Sequence, residues 1–232
     1  MNAPQPSSLG SEQLEALRQI DAPTIANAIE AFDLRDATDG YASLELRCLF
    51  PDLSPVVGYA VTCTADTTSP GKNRLSAIQA LYEAVHMAPK PAIVVIKDIG
   101  PNRLRSCHAG DVMATLFQKL GGVGLVTDGG VRDLDGIRQR APGFQMFAPG
   151  VVVSHGVPTI VEVGVTVSIC GLTVRPGDLL HGDSNGLVNI PHAIADQVAG
   201  EAEKVWQRER EFVEFVKSPA FTLQALAERY GW

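Results

Sequence analysis

Two short apolar segments with little polar interruption lie in the middle of the chain, at residues 91–98 and 123–126. Segments of this length that lack the alternation of a half-exposed strand are typical of strands covered on both faces, as in a parallel sheet. A helical pattern at 111–120 separates them, and another at 133–140 follows the second. Strands and helices that alternate in this way predict an α/β fold.

The flanking sequence predicts more helices, another strand and a β-rich region. Apolar residues at helical spacing favour helices at 12–20, from about 21–23 onward, at 74–87, 192–217 and 222–229. Asp21 is expected to cap the second of these helices, with Pro23 in its first turn. A β-branched run predicts a strand at 56–65. Short β-rich runs between 144 and 191 predict a sandwich-like or barrel-like layer, at 151–153, 159–163, 165–169, 172–174, 179–180 and 186–190.

The domain organisation follows from these elements. Residues 1–10 are rich in Pro, Ser and Gln and are expected to form a flexible tail. No linker separates the β-rich region from the rest, so residues 11–217 are interpreted as one domain of mixed strands, a β-rich layer and flanking helices. Residues 218–232 are expected to be a helical C-terminal extension.

Composition excludes several classes of function. The chain carries 19 Lys and Arg against 26 Asp and Glu, a net charge of −7, so there is no basic excess for nucleic acid. No apolar run reaches the roughly 18 residues of a membrane span, and the first ten residues do not resemble a secretory signal. The four cysteines are scattered without a CxxC pair, which favours reduced thiols in the cytoplasm. We therefore expect a cytoplasmic protein without a nucleic-acid or membrane partner.

The densest polar cluster follows the second buried strand, in the sequence Leu-Val-Thr-Asp-Gly-Gly-Val-Arg-Asp at 125–133. Asp128 ends the strand, the glycines permit a tight turn, and Arg132 and Asp133 open a helix. Charged groups at the carboxyl end of such a strand lie where open α/β sheets bind ligands. Taken alone, Asp133 could equally be a helix cap, and Arg132 a solvated surface charge.

A second cluster lies at the start of the helix at 111–120. Gly110 lets the backbone approach a ligand closely, and the amides of Val112, Met113 and Ala114 are expected to have no intrahelical partner, so that they favour a carboxylate or phosphate. Asp111 alone is explained as well by helix capping.

Together the clusters give a pattern: Asp111, twenty residues, then Arg132-Asp133. This pattern with its Gly-Gly turn resembles the class II pyruvate aldolases of the 4-hydroxy-4-methyl-2-oxoglutarate / 4-carboxy-4-hydroxy-2-oxoadipate aldolase type, which share the RraA-like fold. The stretch 171–191 is similar to the family segment V-x-P-G-D-x4-D-x2-G-V-x3-P. The resemblance spans about residues 20–215. RraA proteins that are not aldolases lack the aspartate found here as Asp111.

The resemblance implies roles for individual residues. Asp133 would bind a divalent Mg²⁺ or Mn²⁺, and Asp111 would hold a water on that ion. Arg132 would pair with the oxo or carboxylate oxygens of a 2-oxo acid and stabilise the developing charge. The expected substrate-binding residues are Gly110, Val112, Met113, Ala114 and Arg132.

The reaction implied by the resemblance is retro-aldol cleavage of a 4-hydroxy-2-oxo (di)acid to pyruvate, with oxaloacetate decarboxylation at the same site. The family forms trimers or hexamers in which a glutamate of a neighbouring subunit reaches the waters of the metal, so a homotrimer or homohexamer is expected. Among the glutamates of the long C-terminal helix, Glu209 is selected by its spacing from Pro191, although a charged helix face explains these residues too.

Other interpretations remain open at this point. The chain could be an RraA-like protein that binds and regulates an RNA-processing enzyme, or a lyase or hydratase for another oxo or hydroxy acid. His108 and His181 are interpreted as structural residues, and the cysteines as core residues. Asp98 ends the strand before the active loop and could be either a site residue or a turn residue.

Overall fold

The computed structural model describes residues 8–71 and 76–231 of the chain. Its helices are α1 (Ser11–Arg18), α2 (Ala22–Glu30), α3 (Ile78–Met87), α4 (Asp111–Lys119), α5 (Leu134–Arg140), α6 (Val198–Lys217) and α7 (Leu223–Tyr230). Its strands are β1 (Arg47–Cys48), β2 (Val56–Asp66), β3 (Ala92–Asp98), β4 (Gly122–Thr127), β5 (Gln145–Ala148), β6 (Thr159–Val163), β7 (Val167–Ile169), β8 (Leu172–Val174), β9 (Leu179–Asp183) and β10 (Gly186–Ile190). This mixture confirms the predicted α/β class.

One mixed sheet organises the molecule, with the strand order β1-β5-β4-β3-β2-β9-β10. Strands β2 to β5 run parallel to one another, as the two buried apolar segments predict. Parallel neighbours need crossover connections, and α3, α4 and α5 supply them. These three helices share one hydrophobic cluster with the sheet, through Leu81, Phe117 and Ile137 respectively.

The β-rich region mostly extends this same sheet. Strand β2 is buried along its whole length, because β9 pairs antiparallel with its first part and β6 pairs antiparallel with its last part. Strands β9 and β10 form a hairpin beside β2. Only β7 and β8 form a separate two-stranded hairpin in the described part of the chain, and it packs on the sheet face opposite α3 to α5.

Several predicted elements need correction. Residues 151–153 do not form a strand: Val151 makes an isolated bridge to Val131, while Val153 is 96% exposed. The helix predicted at 192–217 begins only at Val198, because an i→i+3 turn at His192–Ile194 comes first. The helix predicted at 74–87 begins at Ile78, and residues 74 and 75 lie outside the described ranges.

The N- and C-terminal helices cover the other end of the sheet. Helices α1, α2 and α6 bury their apolar sides against β2, β9 and β10. Asp21 caps α2 as predicted, since its side chain accepts the Thr24 amide at 3.0 Å, and Pro23 lies in the first turn. Helix α7 packs on α6 through the Phe212–Tyr230 ring pair. Among the described residues, no helix has the length and apolarity needed to cross a bilayer.

Candidate active site

Two loop segments meet at the carboxyl end of the parallel strands. The segment before α4 runs beside the segment between β4 and α5, held by main-chain hydrogen bonds from the His108 amide to Gly130 O (2.9 Å) and from the Arg132 amide to Ala109 O (3.0 Å). This pairing explains why Asp111 lies close to the Arg132-Asp133 pair although twenty residues separate them in the sequence. Those residues form most of α4 and all of β4, and they return the chain to the same edge of the sheet.

The Gly-Gly turn is required by this close approach. A Cβ atom at Gly129 would lie 2.5 Å from Cδ2 of His108, and one at Gly130 would lie 2.6 Å from the Ser106 carbonyl oxygen. Real Cβ atoms do not come so close to other heavy atoms, so side chains at either position would separate the two segments. The glycines therefore serve the contact between segments.

A cavity of about 340 Å³ opens where the segments meet. Its polar wall contains Asp111, Arg132 and Asp133. Its apolar wall comes from β2, α3, α4, the loop before β6 and β6 itself, with the side chains of Ala65, Ile78, Met113, Pro158 and Ile160. Gly110 and Val112 also line it. A cavity with a few converging polar groups on an apolar background is typical of small-molecule sites.

Asp133 has an unusual backbone. Its φ of 58° places a non-glycine residue in the left-handed region, where Asp is among the tolerated residues. It precedes α5, so the helix begins one residue later than predicted, and its carbonyl accepts the Ile137 amide at 2.8 Å. Its side chain caps no helix amide. The carboxylate instead receives Arg132 Nε at 3.0 Å at the mouth of the cavity.

Asp111 is the first residue of α4, and Gly110 occupies the capping position. The Asp111 carboxylate accepts its neighbour's amide, that of Val112, at 2.7 Å and forms an ion pair with Arg140. Arg140 was not among the predicted site residues. It lies on α5, seven residues beyond Asp133, and only the packing of α5 beside α4 brings it here.

The expected amide site at the start of α4 needs one correction. Ala114 is buried and its amide donates to Gly110 O at 3.0 Å, so it is not available to a ligand. The Val112 amide is engaged by Asp111. The prediction treated the whole first turn as unpaired, whereas the intrahelical ladder already begins at Ala114.

A buried polar network underlies the cavity, and sequence reasoning did not assemble it. His108 Nε2 lies 2.7 Å from an oxygen of Asp98, and the side chains are 1% and 2% exposed. The Asp98 amide donates to Asp128 at 2.8 Å, and Lys97 forms an ion pair with Asp128. The signal for this network was weak: polar residues at the ends of two neighbouring parallel strands.

Cys107 also lines the cavity. Burial raises the pKa of its thiol above the ordinary value. Burial likewise raises the pKa of the Cys63 thiol to about 12. Neither thiol is activated as a nucleophile, because a reactive cysteine needs a lowered pKa.

Not every predicted residue lies at the cavity. Glu209 is exposed on α6 and does not line it within one chain. Within the described ranges, no three His, Cys, Asp or Glu side chains form a group that could hold a metal. The candidate site of a single chain is thus a cavity with Asp133, Asp111 and Arg132 on its polar wall.

Comparison with known proteins places the chain in a family. Residues 23–189 match the family model described as "RraA-like: Aldolase/RraA". The protein belongs to this RraA-like family.

Individual relatives and solved structures are consistent with this family. A protein of Halalkalibacterium halodurans named "Putative 4-hydroxy-4-methyl-2-oxoglutarate aldolase" is 31% identical over 188 residues, which cover 80% of this chain and 84% of the relative. A solved structure from Pseudomonas syringae has a TM-score of 0.74 at 23% identity, over 99% of this chain and 100% of that one. Streptomyces coelicolor RraAS2, titled a member of the RNase ES inhibitor RraA family, has a TM-score of 0.68 at 24% identity, over 90% and 98%. At these identities, the two structures show the fold alone.

Proposed function

We propose that this protein is a cytoplasmic, divalent-metal-dependent carbon–carbon lyase that cleaves 4-hydroxy-2-oxo (di)acids to pyruvate and decarboxylates oxaloacetate at the same site. The observation that carries the proposal is the meeting of Asp111, Arg132 and Asp133 at one cavity. It is supported by the relative named as an aldolase. Assembly as a homotrimer or homohexamer, with Glu209 of a neighbour completing the site, is part of the proposal.

The residues at the cavity fit a hard divalent ion. Mg²⁺ keeps several waters and needs as few as one or two protein carboxylates, and Mn²⁺ accepts the same oxygen ligands. Asp133 offers such a carboxylate beside open space. A Cβ atom on Gly110 would lie 2.5 Å from Asp133 Oδ2, so the glycine leaves room at the carboxylate. When bound, the ion would supply Lewis acidity to the 2-oxo group of the substrate.

The chain's own residues then have separate tasks. Arg132, which here pairs with Asp133 through Nε, presents a planar guanidinium that can bind the carboxylate or oxo oxygen of a 2-oxo acid. There it stabilises the negative charge that develops on the pyruvate fragment when the C3–C4 bond breaks. Asp111 would hold a water in the cavity, and Arg140 fixes the orientation of Asp111. Met113 and Ile160 lie on the apolar wall of the cavity.

The test is pyruvate release from 4-hydroxy-4-methyl-2-oxoglutarate and from oxaloacetate, with Mg²⁺ or Mn²⁺ and with EDTA. We expect metal-dependent turnover that Asp133→Asn abolishes. Asp135→Asn is the matched control, because Asp135 is exposed on α5 and does not line the cavity, and the change in charge is the same. This control should retain activity.

The opposite result has a defined meaning. Wild-type protein of native oligomeric state that releases no pyruvate above the rate of free metal would overturn the lyase proposal. Another oxo-acid or hydroxy-acid reaction would then be the first alternative. A regulatory role like that named for the Streptomyces coelicolor structure would be the second, and binding to an RNA-processing ribonuclease would test it.

A further inference from the structure

The apolar wall of the cavity is continuous with the hydrophobic core. Ala65 of β2 and Ile160 of β6 are buried members of the cluster that α3, α4 and α5 share with the sheet. Ile78 of α3 and Met113 of α4 are partly buried residues packed against the same cluster. All four also line the cavity. The cavity is therefore a place where the apolar packing between these helices and strands reaches the polar wall without a cover.

The formal charges at the cavity, among the described residues, all belong to the polar wall. They are those of Asp111, Arg132 and Asp133. The hydroxyl groups of Ser76 and Thr159, which also line the cavity, bond to the main chain. A carboxylate against the apolar wall would lose its water without gaining a cation, which is unfavourable, whereas burial of an alkyl or aryl group there is favourable.

His155 is the alternative contact for a distal group of the substrate. It lines the cavity and is exposed. Its Nδ1 lies 2.8 Å from the carbonyl oxygen of Gly156, which can only accept, so in the neutral ring Nδ1 carries the proton and Nε2 holds a lone pair. A lone pair does not attract a carboxylate. The neutral ring therefore offers no further donor to a second carboxylate of the substrate.

The size of the cavity leaves room beyond the pyruvate half of a substrate. Its volume of about 340 Å³ lies in the range of pockets that enclose drug-sized ligands. Pyruvate is much smaller than such a ligand. A substituent of several carbon atoms can therefore be accommodated beside it.

We propose that the substrate carries an alkyl or aryl group on C4, so that the compound released with pyruvate is an apolar aldehyde or ketone. The polar wall takes the carboxylate and the oxo group, and the C4 substituent lies against Ile78, Met113 and Ile160. The inference rests on the proposed lyase function and narrows its substrate class. As the C3–C4 bond breaks, its electron pair passes into the enolate of pyruvate and the O–H pair becomes the new C=O bond. The hydroxyl proton passes to water, and water returns one to C3.

The first test measures binding without turnover. Oxamate has the carboxylate and the adjoining oxo oxygen of pyruvate, and a group on its nitrogen extends in the direction of C4. The N-methyl, N-ethyl and N-propyl derivatives thus lengthen an apolar chain on a constant head group. In calorimetry with wild-type protein and Mg²⁺, we expect Kd to fall about fourfold for each added methylene group.

N-oxalylglycine supplies the polar counterpart of this series. It has the same head group as N-propyloxamate and the same length, but it ends in a carboxylate. We expect it to bind about tenfold more weakly than N-propyloxamate, or weaker still, because its second carboxylate is desolvated against apolar side chains.

Met113→Gln tests the wall itself, since glutamine has nearly the shape of methionine but ends in an amide. It should raise the Kd of N-propyloxamate about tenfold, because the amide loses water on binding without gaining a partner, and it should affect unsubstituted oxamate less. Met87→Gln is the matched control. Met87 ends α3, is 79% exposed and does not line the cavity, so this variant should bind the series as wild type does.

Turnover should follow the same order as binding. We expect kcat/KM for pyruvate release to be higher for 4-hydroxy-2-oxoheptanoate than for 4-hydroxy-2-oxopentanoate, which differ only in the length of the alkyl group on C4. Met113→Gln should reduce this ratio, and Met87→Gln should leave it unchanged.

Three results would overturn the inference. They are a Kd that stays constant along the alkyl series, a Met113→Gln variant that binds the series as wild type does, and tighter binding of N-oxalylglycine than of N-propyloxamate. If His155→Gln then removed the preference for N-oxalylglycine, the distal site would be assigned to a carboxylate held by His155.

Failure of the lyase proposal gives a different result. Wild-type protein that releases pyruvate from oxaloacetate but does not prefer the longer alkyl substrate would overturn the inference alone. Wild-type protein that releases pyruvate from none of these substrates would remove the lyase function, and the inference with it.

Discussion

The two buried histidines lie at opposite ends of the molecule and differ in what surrounds them. His181, in β9, contacts the Ile20 carbonyl at 2.9 Å, and Asp183 of the same strand accepts the Ala22 amide at 2.8 Å. These bonds attach the connection between α1 and α2 to the sheet. His108 instead pairs with the side chain of Asp98 beside a cavity. Equal burial of the same residue type thus serves fold attachment at one end and accompanies a position beside a cavity at the other.

Gly110→Ala is the variant with the largest expected effect, and it should affect activity at the cavity end of the molecule only. Gly110 has an extended backbone, so alanine causes no backbone strain, but the new Cβ would lie 2.5 Å from Asp133 Oδ2 and displace the carboxylate. We expect pyruvate release to fall by about 100-fold or more, because a misplacement of about 1 Å at a reacting centre can cost that much. Stability should change little, since a side chain can move where the main chain cannot.

The matched control is Gly200→Ala. A Cβ atom at Gly200, on the exposed side of α6, meets no atom within 4 Å. This variant should keep full activity and gain about 1 kcal/mol of unfolding free energy from the higher helix propensity of alanine. Normal turnover in Gly110→Ala would contradict the assignment of Asp133 to the reacting centre.

Asp183→Ala, at the end of the molecule that contains His181, should have a smaller effect, and this effect should be on stability. The Asp183 carboxylate is buried and accepts the Ala22 amide and, at 2.7 Å, the Asn185 amide. Its loss leaves buried donors unpaired and should lower the unfolding free energy by about 1–3 kcal/mol in urea titrations, because each desolvated donor loses its partner. The turnover of the folded protein should be unchanged.

Asp36→Ala serves as the comparison, since Asp36 is exposed and its carboxylate, among the described residues, accepts hydrogen bonds only from Thr38 in its own turn. It should change stability by less than Asp183→Ala does. Loss of turnover in folded Asp183→Ala would show that the two ends of the molecule are coupled.

The elements that the sequence could predict are those determined by local residue patterns. Short apolar runs and helical spacing located β3, β4, α4 and α5, because strands and helices of this kind are determined by local patterns. The same local patterns placed Asp111 at the start of α4 and Arg132-Asp133 directly before α5. Residues 151–153 were wrongly assigned to a strand, because β-branched residues predict a strand only where a partner strand is available.

Contacts between segments far apart in the chain could not be predicted. Arg140 reaches Asp111 only because α5 packs beside α4. His155 and Pro158 line the cavity because the loop before β6 folds back over it. No hydrophobic periodicity or motif in that loop predicts the contact. The Asp98–His108 pair joins residues ten apart across a turn, so each looked like an isolated polar residue.

The smallest effect concerns the pH dependence of stability at the structural end. Burial is the main cause that lowers the pKa of His181 below its ordinary value of 6.5, against the opposing influence of Asp183 and Asp21. The unfolded chain therefore binds a proton at His181 near pH 6.5, while the folded protein binds it only at lower pH. Stability is fully present above this range and should fall as the pH drops through it. Urea titrations between pH 7.5 and 5.5 should show the advantage of wild type over His181→Gln shrinking, with His86→Gln as the control for loss of an exposed histidine. An advantage that stays constant over this range would mean that His181 is not held neutral by burial, and the contrast between the two histidines would then rest on geometry alone.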